Sequence, residues 1–308
     1  MISRAACIVQ SGAVGDFILT LSIVQALRRA GYGPIRFIGR AQYATLVGGN
    51  NGIDAFESLD NPPWHRLFGD RPTPAVESMI RGGAPGLVLD MLGISAEALD
   101  ALKSGGVSCI VRIDTRPAPG DHAHITSQWA RSIRKSGIEL IVEPPTLNHE
   151  IRSRIDRQVV IHVGSGGLEK CWALGNWLDV ATRLKADGAQ VLFPLGPSEL
   201  ERTDSAAVRD RLRTLGSIVE SPSFNDLKAL LAGTAAFCGN DSGITHLAAA
   251  MGVPTIAVFG ATDPRVWRPL GSRTTCIGSI DGWPQVRDVL DELELVLSGG
   301  HRDRTDDA

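Results

Sequence analysis

The chain has 308 residues, of which 43% are hydrophobic and 21% are charged, so it is long enough for two domains with buried cores. Its net charge of -3 at pH 7 provides no basic excess, which argues against nucleic acid as a partner. The five cysteines are scattered singly and lack the spacing of a zinc site. We therefore expect reduced thiols in a cytoplasmic protein that holds no metal.

The first half of the chain alternates short apolar runs with helical patterns, which is typical of parallel sheets covered by helices. Strands are predicted at residues 5–10, 35–38, 87–91 and 109–113, and helices at residues 17–29 and 126–136. Residues 61–85 contain five prolines and several glycines, so we predict an irregular loop there. These elements together predict one α/β unit.

Residues 143–148 interrupt both periodicities with consecutive prolines and are the best candidate linker. After them, strands are predicted at residues 159–163, 190–195, 235–238 and 255–259, and helices at 177–185, 204–215, 225–231 and 243–251. A final helix is predicted to begin near Pro284 and to end before Gly299. The sequence thus predicts an α/β fold with domains at residues 1–145 and 146–300, followed by a disordered tail at residues 301–308.

The turn after the first predicted strand reads Ser-Gly-Ala-Val-Gly-Asp and ends at Asp16. It is not a GxGxxG dinucleotide fingerprint, and a carboxylate at the start of the helix would repel a pyrophosphate. Asp is a favoured helix cap, so capping alone explains the residue. The functional alternative is a general base that takes the proton of a sugar hydroxyl.

A glycine-rich turn follows the predicted strand at residues 159–163 and contains Ser165, Gly166 and Lys170. Consecutive backbone N–H groups can form an anion-binding concavity, and a lysine adds a point charge suited to phosphate. The alternative is a plain connection with a solvated lysine. We expect the nearby Trp172 and Trp177 to be packing residues.

A second polar turn runs from Gly239 to His246, where a predicted strand meets a predicted helix. Gly243 permits close approach of a ligand, and the first N–H groups of the helix attract negative charge. The charge of Asp241 opposes an anion, so this residue is expected to accept hydrogen bonds from sugar hydroxyls or to fix the turn. His246 faces the same crevice or has a structural role. Thr262 and Asp263, in the turn after the next strand, either close this crevice or only precede a short helix.

The order of these motifs resembles glycosyltransferase family 9, the lipopolysaccharide heptosyltransferase family. The resemblance rests on Gly-Asp-Phe-Ile-Leu-Thr at residues 15–20, Gly-Ser-Gly at 164–166 with Lys170 and Trp172, Asn-Asp-Ser-Gly at 240–243 with His246, Gly-Val-Pro-Thr at 252–255, and Thr-Asp-Pro at 262–264. It implies a GT-B fold, in which two Rossmann-like domains place their parallel sheets across a cleft. The second domain then binds the nucleotide-sugar donor and the first binds the acceptor.

The resemblance also implies roles for individual residues. Asp16 matches the proposed catalytic base, and the matches at the donor site are Ser165, Gly166, Lys170, Asp241, Ser242, Gly243 and His246. Glu199 and Glu201 compete for the acidic position that contacts the ribose. No metal or other cofactor is implied.

We therefore expect an inverting glycosyltransferase that moves a sugar, heptose from ADP-heptose, to a hydroxyl of a lipopolysaccharide-core-like or other glycan or glycolipid acceptor. The alternatives are a nucleotide-sugar-binding protein that has lost transfer and a nucleotide-sugar epimerase or hydrolase of the same fold. Residues 129–135 mix basic and apolar side chains, which allows peripheral contact with the inner face of the cell membrane, although a solvated helix face explains them better.

Overall fold

The computed structural model describes residues 4–47, 51–147, 155–201 and 205–300. The chain divides into two compact units, Met1–Asn148 (unit 1) and His149–Ala308 (unit 2). This division lies close to the predicted boundary between residues 145 and 146. The predicted disordered tail, residues 301–308, lies outside the described residues, as does residue 204, where a helix was predicted to begin.

Unit 1 contains a parallel five-stranded sheet in the order β3-β2-β1-β4-β5. Its strands are β1 (Ala6–Val9), β2 (Ile35–Gly39), β3 (Ala55–Ser58), β4 (Leu87–Asp90) and β5 (Cys109–Arg112). The strand order reverses between β1 and β4. In an open α/β sheet, ligands bind beyond the carboxyl ends of the strands at such a reversal, so the residues after β1 and β4 occupy a favoured position.

The helices of unit 1 are α1 (Val14–Arg29), α2 (Ala44–Val47), α3 (Thr73–Ile80), α4 (Ala96–Ser104) and α5 (Ile125–Arg134). Helix α1 buries an apolar face against the sheet, where Phe17 meets Phe37 edge-on at 5.3 Å and stacks on Tyr43 at 4.8 Å between ring centroids. Trp129 and Ile133 of α5 are fully buried. The large apolar side chains of residues 129–135 therefore belong to the core and are not free to contact a membrane. This favours the interpretation of the basic residues in this stretch as a solvated helix face.

The prediction of an irregular loop at residues 61–85 is wrong. A short 3-10 helix spans Trp64–Phe68, and α3 comes after it with Pro72 as its N-cap and a proline in its first turn. Proline is tolerated there because the first N–H groups of a helix have no partner within it. Trp64, Val76 and Met79 are buried in the core of unit 1. Pro63, Pro72 and Pro74 therefore mark where helices begin.

Unit 2 contains a parallel six-stranded sheet in the order β11-β10-β9-β6-β7-β8. Its strands are β6 (Gln158–His162), β7 (Gln190–Leu195), β8 (Ser217–Glu220), β9 (Ala236–Asn240), β10 (Thr255–Val258) and β11 (Thr274–Ile277). Here the order reverses between β6 and β9, which pair in parallel with His162 opposite Gly239. The two glycine-containing turns of unit 2 come directly after these neighbouring strands.

The helices of unit 2 are α6 (Leu174–Ala186), α7 (Pro197–Leu200), α8 (Ser205–Arg213), α9 (Phe224–Ala232), α10 (Gly243–Ala250), α11 (Pro264–Trp267) and α12 (Val286–Leu297). Trp172 and Trp177 are buried and meet edge-on at 5.0 Å between ring centroids, so their predicted packing role is confirmed. Across the described ranges, no helix is both long and apolar enough to cross a membrane.

Candidate active site

The candidate site of unit 2 is built from the turn after β6, residues 163–173, and the turn between β9 and α10. Asn240, the last residue of β9, joins these two turns and is fully buried. Its side-chain oxygen accepts a hydrogen bond from the backbone N–H of Trp172 at 2.9 Å. Its amide nitrogen donates to the carbonyl oxygens of Val163 at 3.0 Å and Gly164 at 3.1 Å. One side chain therefore fixes both ends of the glycine-rich turn.

Two buried serines strengthen the same junction. Ser165 Oγ donates to the backbone carbonyl of Asp241 at 2.8 Å, so the turn after β6 is attached directly to the turn after β9. Ser242 Oγ lies 3.2 Å from Nδ1 of His162 and 3.0 Å from Oγ1 of Thr245. The structure thus uses the hydroxyls of both predicted donor-site serines for internal bonds, and backbone groups are left to contact a ligand.

Asp241 is the electrostatic centre of the site. Its Oδ2 accepts hydrogen bonds from Lys170 Nζ at 2.8 Å and from Thr262 Oγ1 at 2.7 Å. Its Oδ1 lies 3.8 Å from Nε2 of His246, in the first turn of α10. Four predicted residues from three different turns therefore meet at one carboxylate, and Thr262 belongs to the site as well as preceding α11.

The pKa of Asp241 is lowered from 3.8 to about 2. Burial of the carboxyl group raises the pKa, but the His246 imidazole and the Lys170 ammonium together lower it by more. The carboxylate is therefore ionised at neutral pH, and it keeps Lys170 in place. It fixes the turn, as one of the two sequence interpretations proposed.

Lys170 remains available to a ligand although it pairs with Asp241. Its side chain is one-third exposed, and an ammonium group has three N–H donors. Among the described residues its hydrogen-bond partner is Asp241 alone. The other two donors can therefore bind an anion without breaking the ion pair.

His246 is buried, and its Nδ1 has no hydrogen-bond partner among the described residues. Its backbone N–H donates to the carbonyl of Ser242 at 3.2 Å, so the residue belongs to the first turn of α10. The structure places the ring against Asp241 at the N-terminal end of the helix. Free N–H groups and the helix dipole make this end favourable for negative charge.

Of the two competing acidic residues, the structure brings Glu199 to the glycine-rich turn. Glu199 Oε2 accepts a hydrogen bond from Gly196 N at 2.8 Å, and Oε1 lies 3.9 Å from Nε2 of His162. A methyl group on Gly164 would collide with this carboxylate, so glycine is required for the close approach. Glu201 is exposed in the next turn.

The backbone near Gly166 is open. A methyl group built there would meet no atom within 4 Å among the described residues, so a ligand can approach the peptide closely. The exposed peptide, Lys170 and the start of α10 lie around the same two strand ends. This arrangement can bind an anion while a neighbouring carboxylate accepts hydroxyl hydrogen bonds.

Asp16, the predicted residue of unit 1, lies in the first turn of α1 and is partly exposed. Its Oδ2 accepts a 2.9 Å hydrogen bond from the backbone N–H of Ala13, the N-cap residue. The capping interpretation is therefore confirmed. A role as general base stays a prediction.

Sequence reasoning missed the importance of Asn240 and Thr245, which contact the backbone and side chains of the site but make no charged interaction. The available signal was the polar residue that ends the apolar strand at Phe237 and Cys238. Within the described ranges, no cluster of three or more His, Cys, Asp or Glu side chains has the arrangement of a metal site.

The chain is similar to known proteins over both units. Residues 143–294 match the sequence pattern of the family described as Glycosyltransferase family 9 (heptosyltransferase). Lipopolysaccharide heptosyltransferase 3 of Escherichia coli K12 is 34% identical over 116 residues, which span 37% of this chain and 34% of that relative. The chain thus matches about a third of the length of this curated relative.

Two solved structures share the fold. A glycosyltransferase family 9 protein from Veillonella parvula has a TM-score of 0.75 at 16% identity, with 97% of this chain and 99% of that chain covered. ADP-heptose lipopolysaccharide heptosyltransferase II of E. coli has a TM-score of 0.74 at 16% identity, with 96% and 99% covered. At this identity the likeness establishes the fold, which is the GT-B fold of two α/β units with parallel sheets. By the sequence pattern of residues 143–294, the chain belongs to glycosyltransferase family 9, as its motifs predicted.

Proposed function

We propose that this chain is an inverting glycosyltransferase that moves heptose from ADP-heptose to a hydroxyl of a lipopolysaccharide-core-like glycan or glycolipid. The observation that carries the proposal is the ion pair between Lys170 and Asp241 at the start of α10, beside the open peptide of Gly166. These features lie within the residues that match the family pattern. The two E. coli relatives, both named for heptosyl transfer, support the choice of sugar.

In the proposed reaction, Lys170 and the first N–H groups of α10, beginning at Gly243, bind the donor diphosphate. The acceptor oxygen forms a bond to the anomeric carbon as the bond from that carbon to the phosphate oxygen breaks. The leaving nucleoside diphosphate keeps the electron pair, and positive groups fixed before the reaction stabilise the developing charge. Asp16 takes the proton of the acceptor hydroxyl. Asp241 holds Lys170 and accepts hydrogen bonds from the sugar, and Glu199 accepts them from the ribose.

This mechanism assigns no step to a metal ion. The charge that a divalent cation supplies in other phosphate-binding sites comes here from an ammonium group and a helix N-terminus. Transfer measured after treatment with EDTA tests this point, and a loss of activity that Mg²⁺ or Mn²⁺ restores would contradict it. The protein is proposed to work in the cytoplasm, at the inner face of the cell membrane where a lipid-linked acceptor is present.

The donor is tested first by thermal shift and calorimetry against ADP, UDP, GDP and their sugars. A ligand that binds the folded state raises the melting temperature, and we expect the largest rise with ADP-heptose. A clear preference for UDP or GDP would overturn the choice of donor. Incubation with ADP-heptose and a lipid A core acceptor, followed by mass spectrometry, then tests transfer, and NMR of the product tests inversion at the anomeric carbon.

The same incubation separates the alternatives. Binding without product would favour a nucleotide-sugar-binding protein that has lost transfer. Free sugar or an isomerised donor in the absence of acceptor would favour a hydrolase or an epimerase.

The role of Asp16 has its own test. Asp16→Asn keeps the size of the side chain and removes the base, so turnover should nearly vanish while donor affinity stays within about threefold. Retention of most of the turnover would exclude Asp16 as the base.

A further inference from the structure

Gln10, the residue after β1, is a fully buried polar side chain at the strand-order reversal of unit 1. Its backbone N–H donates to the carbonyl of Ile38 at 3.0 Å, which extends the pairing of β1 with β2 by one residue. Its side-chain Nε2 and Oε1 are both buried, and neither has a hydrogen-bond partner among the described residues. The backbone of Gln10 is therefore fixed while its amide remains unpaired.

A buried amide without a partner is destabilising, because it has lost its bonds to water and gained none. The three residues before it, Cys7–Val9, are apolar and equally buried. An unbranched apolar side chain of the same length would fill the same space without this cost. The amide therefore points to a hydrogen bond that forms during the working cycle of the protein.

The nearest charged acceptor across Gly12 is Asp16. A methyl group built on Gly12 would lie 2.6 Å from Asp16 Oδ2 and 2.7 Å from Gln10 Nε2. Because both distances are measured from the same methyl position, Asp16 Oδ2 and Gln10 Nε2 can be at most 5.3 Å apart. A change in one side-chain torsion of Gln10 or Asp16 is enough to bring a donor and an acceptor this close into contact.

Other groups near this corner are held by contacts of their own. Arg40 Nε donates to the Ser11 carbonyl at 2.7 Å, and the Tyr43 hydroxyl donates to the Gly12 carbonyl at 2.9 Å. The pKa of Tyr43 is raised, mainly by burial and to a smaller extent by the charge of Asp16, while Gln42 and Arg40 lower it. Tyr43 therefore stays neutral, and the Arg40 guanidinium adds a positive charge close to it.

On the other side of β1, Asp90 ends β4. Its carboxylate accepts hydrogen bonds from the backbone N–H groups of Leu92, Gly93 and Ile94 and from Arg112 Nε at 2.8 Å. This carboxylate is fully used by its own loop and by Arg112.

We propose that Gln10 is a positioning residue for Asp16: its Nε2–H group donates to one carboxylate oxygen and so directs the other oxygen toward the acceptor hydroxyl. Gly12 makes the contact possible because any side chain at that position would occupy the space through which it forms. The role rests on the proposed function, since it assigns Asp16 as the base. The hydrogen bond itself is independent of that assignment and can be measured without turnover.

The first test measures the titration of Asp16 directly. In protein with ¹³C-labelled Asp carboxyl groups, NMR follows the Asp16 signal with pH, and Asp16→Asn identifies it. Gln10→Met keeps the length of the side chain and removes the donor, so the Asp16 pKa should rise by about one unit relative to wild type. Gln10→Glu should raise it further, because a like charge disfavours the ionised form.

A matched control is Gln128→Met, which removes another buried amide of unit 1. Gln128 accepts a hydrogen bond from Ala118 N and donates to the carbonyl of Ala123, both at 2.9 Å, so its role is structural. This variant should lose stability and leave the Asp16 titration unchanged. An unchanged titration in both Gln10 variants would overturn the proposal, whether or not the protein transfers a sugar.

The second test uses transfer. Gln10→Met should lower kcat about tenfold, move the acidic limb of the pH profile of kcat/KM upward and leave the donor KM within about twofold. A shifted Asp16 titration in a wild-type protein without transfer would keep the Gln10 contact and refute the proposed function. A fall in melting temperature with kcat and the pH profile unchanged would show that the amide is only structural.

Discussion

Asp241 should stabilise unit 2 through its charge, and Asp241→Asn tests this expectation. Asparagine keeps the shape of the side chain and can still accept a hydrogen bond from Thr262, but it cannot neutralise Lys170. At pH 7 we expect the variant to be less stable than wild type by ~2 kcal/mol. The estimate comes from the fall in the pKa from 3.8 to about 2, with about 1.4 kcal/mol for each unit. The carboxylate is nearly completely buried, so solvent screens this interaction little.

The sign of the pH dependence is set by the direction of the shift. A carboxyl group whose pKa is lower in the folded state adds stability above its unfolded pKa, and that stability is lost as the pH falls toward the folded value. The difference between wild type and Asp241→Asn should therefore be constant from pH 7 to about pH 5. It should fall to roughly 1 kcal/mol at pH 3, where part of the unfolded population is already protonated.

Because the chain has two units, one unfolding transition cannot be assumed. The measurement is urea unfolding at several pH values, followed by pulsed hydrogen exchange in peptides that span β9. Asp179→Asn, which removes an exposed carboxylate of α6, is the control and should stay within about 0.5 kcal/mol of wild type throughout. A gap between wild type and Asp241→Asn that is equally large at pH 3 and pH 7 would refute the electrostatic explanation.

Three further predictions concern the proposed donor site. Lys170→Ala should weaken the binding of ADP or ADP-heptose, measured by calorimetry, about 10- to 100-fold, because a charge-assisted phosphate contact is lost. The control is Lys185→Ala, which removes an exposed lysine that donates to a backbone carbonyl and should change the affinity less than twofold. Glu199→Gln should weaken ADP binding about 10-fold more than it weakens binding of the 2′,3′-dideoxyribose analogue, while Glu201→Gln should affect both ligands equally. If Glu201→Gln discriminates between the two ligands and Glu199→Gln does not, the ribose contact belongs to Glu201. Gly164→Ala should displace the Glu199 carboxylate and weaken ADP binding as much as Glu199→Gln does, and the double variant should be no weaker than either single one.

The fold was predictable wherever one pattern dominated. Strands β1, β4, β6 and β10 are buried on both faces and read as continuous apolar runs, which is why sequence patterns found them. Strands β8 and β11 lie at the edges of the sheet of unit 2 and are only partly buried, so their residues lack such a run. Helix α1 begins at Val14, before the predicted start at Phe17, because the Asp16 carboxylate caps the N–H of Ala13 and so allows one more turn.

The structure brings together several side chains that the motifs selected, but the contacts between them were not predictable from the sequence. Motif order identified Lys170 and Asp241, but only three-dimensional structure shows that they bind each other, since 71 residues separate them. The spacing of Glu199 and Glu201 gave no preference, and packing against Gly164 provides one. Gln10 also follows an apolar strand, but its lack of a hydrogen-bond partner is a property of the folded chain and could not be predicted from the sequence.

The sheets of the two units have the same strand order around their first strands, but the turns and helices that follow those strands differ. This difference supports the proposed roles of the two units, in which unit 2 binds the donor and unit 1 provides the base. In unit 1, four residues separate β1 from α1, and the first turn of the helix is already occupied by the Asp16 carboxylate. The negative Asp16 carboxylate at this helix N-terminus repels a diphosphate, whereas it can accept a proton from a hydroxyl group. In unit 2, the chain from β6 to α6 is longer and contains Lys170, while α10 begins at Gly243 without a carboxylate in its first turn. An anion is therefore attracted to the start of α10 and disfavoured at the start of α1. This contrast supports the proposal that unit 2 binds the donor and that Asp16 of unit 1 acts as the base.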